Sequence, residues 1–125
     1  MDIFQSAQDL HTKLRGKLSV ENRFDVSSKD DLSLVYSPGV AAPCEAIHTD
    51  PALVYDYTIK GNTVAIVSDG SAVLGLGNIG AHAAIPVMEG KAMLFKRFAG
   101  INGVPICIQT QDTEEIISIV KNISP

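Results

Sequence analysis

Two neighbouring features of the sequence have residue types and a spacing that could do chemistry. Residues 74–80, LGLGNIG, form a glycine-rich loop, and Lys91 follows it within residues 88–96, MEGKAMLFK. A glycine-rich loop that opens a helix favours anions, because the first backbone N–H groups of the helix point outward and the helix dipole attracts negative charge. The loop is therefore a candidate site for a carboxylate or a phosphate.

Lys91 lies near the middle of an apolar face if residues 84–98 form a helix. That face consists of Ile85, Met88, Ala92 and Phe95, widened by Ala84, Val87, Leu94 and Phe98. A desolvated ammonium group releases its proton more readily, and the neutral amine is then available as a general base. The alternative is a lysine whose aliphatic stem covers apolar surface while its charged head stays in water.

The glycine spacing also raises the question of a nucleotide site. Gly75, Gly77 and Gly80 match the pattern G-x-G-x-x-G of dinucleotide-binding folds, in which the motif follows its strand immediately. Here residues 69–74 separate the loop from the predicted strand, and the expected acidic partner for the ribose is missing, since Asp112 comes too late. We therefore favour a tight turn or a small-carboxylate cradle, and we assign no cofactor-binding residue.

The elements that position these groups are predicted to follow a β–α–β–α order. Residues 63–68 are a continuous apolar, β-rich run, typical of a strand buried on both faces, and residues 104–108 predict a second such strand. The helix that carries Lys91 lies between them and ends at Gly100, and residues 112–120 predict a further helix. This order predicts an α/β fold with a parallel sheet.

Signals in the first half of the chain are weaker. The expected elements are helices at residues 3–15 and 40–48, a helical turn from Pro51, and extended segments at residues 18–26 and 32–36. Gly16 suits the C-cap of the first helix.

Composition excludes several classes of protein. With 46% hydrophobic and 19% charged residues in 125, the chain resembles neither a disordered nor a fibrous sequence. A net charge of −4 and the lack of a basic run argue against nucleic acid as the main partner. Cys44 and Cys107 fit neither a disulfide scaffold nor a metal knuckle, so we interpret both as ordinary thiols in a reducing compartment.

Two further observations predict the cellular location of the protein. Residues 1–6 have neither a basic region nor a hydrophobic region of the kind found in secretion signals. No apolar run approaches membrane-spanning length. We therefore expect a cytoplasmic protein that does not associate with a membrane.

Tyr36 gains significance from the order of four motifs. They are VYSPGVA at residues 35–41, SDG at 68–70, LGLGNIG at 74–80 and MEGK at 88–91. Malic enzymes carry these motifs in this order, and the chain closely resembles the N-terminal domain of a short, prokaryotic-type malic enzyme over nearly all of residues 15–110. The fold that this resemblance implies is the parallel-sheet substrate domain of malic enzymes, which is similar to the N-terminal domain of amino-acid dehydrogenases, with a helical segment before it.

The resemblance also implies a reaction. L-Malate would be oxidised with NAD or NADP and decarboxylated to pyruvate and CO2, with Mg²⁺ or Mn²⁺ chelating the substrate. The lysine that matches Lys91 would be the general base for the C2 hydroxyl, and the tyrosine that matches Tyr36 would be the general acid that protonates C3 of enolpyruvate. Ala72 stands where larger animal-type enzymes carry an arginine for a malate carboxylate. Gly77, Asn78 and Gly80 are therefore our candidates for binding that carboxylate.

The same resemblance predicts how the chain is organised. Residues 1–60 would be a helical association segment with the tyrosine loop, and residues 61–125 the α/β part of the substrate domain. The NAD(P)-binding domain and the metal ligands would follow Pro125, so we assign no metal ligand. We expect no tight cofactor binding and no malic activity from these residues alone, and a homo-oligomer, such as a dimer, for the whole enzyme.

Two other hypotheses stay open at this point. The chain could be a non-catalytic dimerisation module, in which Lys91 only covers apolar surface with its stem. It could also be a self-contained dinucleotide binder that uses residues 75–80.

Overall fold

The computed structural model describes residues 2–125, so Met1, the first residue of the predicted 1–60 segment, lies outside them. The helices are α1 (Ile3–Leu14), α2 (Lys29–Val35), α3 (Ala41–Thr49), α4 (Val54–Tyr57), α5 (Gly80–Ala99) and α6 (Thr113–Ile123), and the strands are β1 (Thr63–Ser68) and β2 (Asn102–Cys107). Short 3₁₀ turns occupy Pro51–Leu53 and Ile59–Gly61. Contacts divide the chain into two units, one of residues up to Ser19 together with 63–125, the other of residues 20–62.

The first unit is built on a parallel pair of strands. β1 and β2 pair in register from Thr63 opposite Asn102 to Ser68 opposite Cys107. The crossover between them is α5, which packs against both strands, and α6 follows β2. The predicted β–α–β–α order and the parallel pairing are thus confirmed, as is Gly100 as the left-handed cap of α5.

Small residues set the distance between α5 and the strands. Ala84 and Ala92 are almost completely buried on the helix face that meets the sheet. On the strand side, a Cβ atom on Gly103 would lie 2.9 Å from the Cα atom of Ala92 and from Cδ1 of Ile66. Only a residue without a side chain fits there at this distance.

The two strands are less buried than their sequence predicts. Val64 and Ala65 of β1 are exposed, so the prediction that residues 63–68 are buried on both faces is wrong for the described chain. The physical reason is that the described sheet has two strands, and a single helix, α5, covers both of them.

The second unit contains α2, α3 and α4, which are joined by short turns. None of the described side chains of residues 20–62 is buried. Local hydrogen bonds stabilise the unit instead: Asp50 Oδ1 accepts from the Ala52 N–H at 3.0 Å, and Thr58 Oγ1 accepts from the Lys60 N–H at 3.2 Å. Gly61 approaches so closely that a Cβ atom on it would overlap the carbonyl of Tyr55.

Two predictions of extended structure in the first half of the chain are wrong. Residues 18–26 form no strand, and residues 32–36, whose apolar side chains alternate, lie mostly in α2. The reason is the N-cap of α2, because Ser28 Oγ accepts from the Asp31 N–H at 3.0 Å and donates to the Asp31 carboxylate at 2.7 Å. These reciprocal bonds start a helix that the alternation does not reveal.

The other predictions for the first half agree with the structure. α1, α3 and the turn at Pro51 are where we expect helical structure. The end of α1 differs by one residue, since Arg15 takes the left-handed C-cap position with φ 56° and Gly16 follows with φ 107°. No helix among residues 2–125 is long and apolar enough to cross a membrane.

Candidate functional site

The glycine loop lies in the connection between β1 and α5, residues 69–79, and ends at the first residue of α5. After Ser68 the chain turns at Asp69 and Gly70, and α5 starts at Gly80. Within the loop, Val73 and Gly77 pair with each other, since each backbone N–H donates to the carbonyl of the other at 2.8 Å. Gly75 and Gly77 have positive φ angles of 80° and 71°, which favour glycine, so the predicted tight turn is present.

The base of the loop is closed at Gly70. Its carbonyl oxygen accepts from the N–H groups of Ile79 and Gly80, at 3.0 and 3.2 Å. Gly70 itself is buried with φ 71°, and a Cβ atom on it would overlap the Gly80 carbonyl. The two ends of the loop therefore lie against each other, which holds the start of α5 beside the end of β1.

This closure limits how the loop could bind a carboxylate. The backbone N–H groups of Gly77 and Gly80 already donate to Val73 and Gly70. For the backbone N–H of Asn78, no acceptor is found among residues 2–125. Of the three residues that we selected for the carboxylate, Asn78 is therefore the one that still has a backbone donor to offer, and the two glycines provide open space in place of a side chain.

Asn78 is linked to a second loop at the same edge of the sheet. Its Nδ2 donates to Gln111 Oε1 at 2.9 Å, and Gln111 Nε2 donates to Asn78 Oδ1 at 3.0 Å. Gln111 lies in the connection from β2 to α6, just before Asp112, whose side chain caps α6. The carboxyl ends of parallel strands are the usual place for ligand sites in such sheets. The sequence analysis missed Gln111, because no local pattern marks a pairing across 33 residues.

Lys91 lies on α5 and is exposed. The buried residues of this helix are Ala81, Ala84, Met88 and Ala92. Val87 and Leu94, which neighbour Lys91 one turn away on either side, are themselves 37% and 56% exposed. The expectation of a desolvated Lys91 is therefore wrong for the described residues, because the buried face of α5 consists of three alanines and Met88 and does not include Lys91.

Two residues before Lys91, Glu89 connects α5 to the end of α1. The Glu89 carboxylate accepts from the backbone N–H of Lys17 at 3.1 Å and lies 3.6 Å from the Lys17 ammonium. Both side chains are mostly buried, at 13% and 17% exposure. The Lys17 ammonium also contacts Nε2 of His11 at 2.6 Å. These contacts join α5 to the segment that follows α1, two residues before Lys91.

Tyr36 lies in the second unit, at the C-terminal end of α2. Its backbone N–H donates to Leu32, its carbonyl accepts from Val40 at 2.7 Å, and its side chain is 66% exposed. After a cis peptide bond between Ser37 and Pro38, Gly39 folds back to donate to the Ser33 carbonyl at 2.9 Å. The turn after α2 therefore presents the phenol to solvent within this unit.

Two groups near the loops have shifted pKa values. The backbone N–H of Ser71 donates to Asp69 at 2.9 Å, and this bond, together with that of the Ser71 side chain, lowers the pKa of the Asp69 carboxyl. At the end of β2, burial raises the pKa of the Cys107 thiol. Cys107 and Cys44 are both free thiols. The loop edge therefore carries a carboxylate that stays ionised at neutral pH and a thiol that stays protonated.

Two features bear on metal and dinucleotide binding by the described residues. No group of three or more histidine, cysteine, aspartate or glutamate side chains among residues 2–125 could hold a metal ion. Residues 69–79 separate β1 from α5, whereas the helix of a dinucleotide-binding unit follows its strand directly. Gly75 and Gly77 also lie in the turn and not at the start of the helix.

These features define an α/β domain with a parallel strand pair and a closed glycine loop at its carboxyl edge. The family model of the malic enzyme N-terminal domain matches residues 15–120. The chain therefore belongs to the malic enzyme family, as its four motifs suggest.

Individual relatives agree with this assignment. The chain is 63% identical over 110 residues to the NAD-dependent malic enzyme of Geobacillus stearothermophilus, covering 88% of this chain and 23% of that protein. It is 54% identical over its 125 residues to the bifunctional malic/malolactic enzyme of Bacillus subtilis (strain 168), covering 100% of this chain and 30% of that one. It thus spans less than a third of either relative.

Solved structures support the same fold. The crystal structure of malic enzyme from Pyrococcus horikoshii Ot3 matches with a TM-score of 0.94 and 51% identity, over 98% of this chain and 29% of that one. Malic enzyme from Entamoeba histolytica matches with a TM-score of 0.90 at 31% identity, over 96% and 26%. The predicted fold class, the α/β N-terminal domain of a malic enzyme, is confirmed.

Proposed function

We propose that the protein to which these residues belong converts L-malate to pyruvate and CO2 with NAD or NADP as oxidant. The observation that carries the proposal is membership of the malic enzyme family over residues 15–120. The relatives include one named for NAD and one, from Rhizobium meliloti (strain 1021), named for NADP, so either cofactor is compatible with the proposal.

In this proposal Lys91 is the general base. It would take the proton of the C2 hydroxyl as malate is oxidised. Its exposure leaves the amine accessible to substrate, and its neighbours Val87 and Leu94 are apolar, so a substrate bound against them would exclude water from the ammonium group. Desolvation would then come from the assembled site and not from α5 alone.

Tyr36 is the proposed general acid, which gives its phenolic proton to C3 of enolpyruvate. A phenol, with a reference pKa of about 10, is a suitable donor to a carbanion-like carbon. The support within this chain is the tight turn after α2, which leaves the hydroxyl in solvent and free of a protein partner among the described hydrogen bonds.

The substrate carboxylate is proposed to bind at the glycine loop. Asn78 would supply its backbone N–H, and the absence of side chains at Gly77 and Gly80 would leave room for the ligand. A divalent cation and the nicotinamide would need groups beyond those described, since residues 2–125 fit neither. We therefore expect these 125 residues alone to bind no cofactor tightly and to turn over no malate.

The location and the assembly of the enzyme belong to the proposal as well. We expect a cytoplasmic homo-oligomer, such as a dimer, with residues 1–60 contributing to association. The support for association is the exposed apolar face of α1, which includes Ile3, Leu10 and Leu14. A dimerisation module without catalysis would use the same face and is distinguished by the experiment below.

The experiment is malate oxidation by the full-length polypeptide, with Mn²⁺ and with each nicotinamide cofactor in turn. Lys91→Ala should lower kcat by about 10²–10⁴-fold, the range typical of a lost general base. Lys91→Arg should be equally slow, because it keeps the charge but does not release its proton. Tyr36→Phe should slow the protonation of enolpyruvate, measured as a lower rate of enzyme-catalysed exchange between solvent deuterium and the C3 protons of pyruvate.

Two matched variants control for general damage. Arg97→Ala removes another cation from α5, and Tyr57→Phe removes another exposed phenol from the second unit; both should keep the wild-type rate. An active wild type with an equally active Lys91→Ala would refute the role of Lys91. A full-length polypeptide that self-associates but oxidises no malate would favour the association module.

A further inference from the structure

Beyond the proposed catalytic residues, Gln111 makes a contact at the carboxyl edge of the sheet that the proposed mechanism does not use. Its side-chain amide and that of Asn78 form a closed pair in which each amide donates once and accepts once. Two amides satisfy each other in this way only when they are nearly coplanar, so the pair constrains both side chains at once. Gln111 belongs to the β2–α6 connection and Asn78 to the glycine loop.

The rest of the glycine loop is stabilised by its own backbone. The Val73–Gly77 pair closes the tip, and the Gly70 carbonyl closes the base at Ile79 and Gly80. Asn78 lies between these two closures, and no acceptor for its backbone N–H is found in the described part of the chain. The Gln111 pair is the side-chain hydrogen bonding that joins this segment to the β2–α6 connection in the described part of the chain.

We propose that Gln111 is a positioning residue for the substrate carboxylate: its amide pair with Asn78 holds the backbone N–H of Asn78 in the conformation that binds malate. The inference rests on the proposed function and extends it to a residue that touches no substrate. Gln111 acts by restricting Asn78 to fewer conformations before malate binds. The free energy needed to order Asn78 is then not subtracted from the binding free energy of malate.

The test uses the full-length polypeptide and compares KM for malate with kcat. Gln111→Ala should raise the KM for malate about fivefold to thirtyfold, the equivalent of one or two net hydrogen bonds. It should change kcat by less than about twofold, because Gln111 contributes to no proton transfer. The KM for the nicotinamide cofactor should not change. Gln109→Ala is the matched control, since Gln109 is an exposed glutamine of the same connection, and it should leave both constants unchanged.

A double-mutant cycle with Asn78→Ala separates positioning from a general structural effect. If Gln111 acts through Asn78, the Asn78→Ala/Gln111→Ala variant should have the KM of Asn78→Ala alone. Amide hydrogen exchange across residues 73–80 should become faster in either single variant, whether or not substrate is present. Unchanged exchange in Gln111→Ala would overturn the inference.

The kinetic outcomes distinguish this inference from the proposed function. An active wild type whose Lys91→Ala variant is inactive, together with a Gln111→Ala variant of unchanged malate KM, would overturn the inference alone. Additive effects of the two substitutions on KM would overturn it as well. A wild-type polypeptide that oxidises no malate would overturn the proposed function and, with it, the role of Gln111.

Discussion

Every side chain that is buried among residues 2–125 lies in the first unit, whereas residues 20–62 have none. The buried set consists of Val73, Ala81, Ala84, Met88 and Ala92. In the second unit, side chains cap helix ends and glycines allow tight turns. Lys91 and Asn78 are thus positioned by packing between distant parts of the sequence, and Tyr36 by contacts between near neighbours. A poorer fit between α5 and the strands should therefore damage the first unit, and loss of a helix cap the second.

The largest effect should come from Gly70→Ala. A Cβ atom there would overlap the Gly80 carbonyl, and φ is 71°. We expect the free energy of unfolding to fall by about 2–4 kcal/mol, because alanine is strained at this left-handed φ and because the base of the loop would be displaced. Hydrogen exchange of β1 and β2 amides measures it.

Gly75→Ala is the matched control for this change. Its φ of 80° is similar, but nothing lies within 4 Å of the added Cβ atom. The free energy of unfolding should then fall by about 1–2 kcal/mol, which is the cost of the left-handed backbone conformation alone. Equal losses at the two positions would mean that the close approach to Gly80 contributes nothing.

A smaller effect is expected from Gly103→Ala. The new Cβ atom would lie 2.9 Å from Ala92 and Ile66, so α5 and β2 would have to separate, at a cost of about 1–3 kcal/mol. Gly90→Ala should do the opposite. It lies in the interior of α5 with open space around it, and it should stabilise the unit by about 0.5–1 kcal/mol. Exchange rates of β2 amides in the two variants should move in opposite directions.

In the second unit, the corresponding change is loss of a cap. Ser28→Ala removes both bonds to Asp31 and should destabilise α2 by about 1 kcal/mol. The effect should appear in exchange of the α2 amides and not in those of β1. Ser33→Ala, which removes only a bond to the Lys29 carbonyl inside the helix, should be nearly neutral. A Ser28→Ala effect that spreads to β1 would contradict the distinction between the units.

The smallest effect should be a pH dependence at the end of β1. The Ser71 backbone and side chain lower the pKa of Asp69 below its ordinary value of 3.8. A lowered folded-state pKa contributes stability that is present above 3.8 and is lost as the pH falls through the lowered value. The thermal midpoint of wild type should exceed that of Asp69→Asn at neutral pH, and the difference should shrink on acidification. A difference that does not change with pH would refute the assignment.

The difference between the two units also explains which elements the sequence predicts correctly. β1, α5 and β2 are recognisable because apolar runs, a long amphipathic pattern and Gly100 all indicate the same elements. α2 is not predicted, because the alternation of Leu32, Leu34 and Tyr36 suggests a strand. The Ser28–Asp31 spacing is a capping signal that would have identified the helix.

The candidate site is only partly predictable from the sequence, because some of its contacts join residues that are far apart in the chain. The glycine turn follows from local residue types, and the motifs that include Tyr36 and Lys91 place the chain in its family. Which face of α5 is buried depends on the fit between Ala92 and Gly103, and the pairing of Asn78 with Gln111 joins two loops. Neither contact leaves a periodic pattern in the sequence. The Ala92–Gly103 contact and the Asn78–Gln111 pair therefore become visible only in the three-dimensional structure, where β1 and β2 lie side by side.

The bond between Glu89 and Lys17 also has a consequence for the newly made chain. The two residues are 72 positions apart, so the ribosome must add that many residues after Lys17 before the partner exists. At the usual pace of synthesis this takes about 4–15 s. During that interval the apolar face of α1 has no ion pair to hold its end against α5. A chaperone that recognises exposed apolar helices would therefore have this interval in which to bind α1.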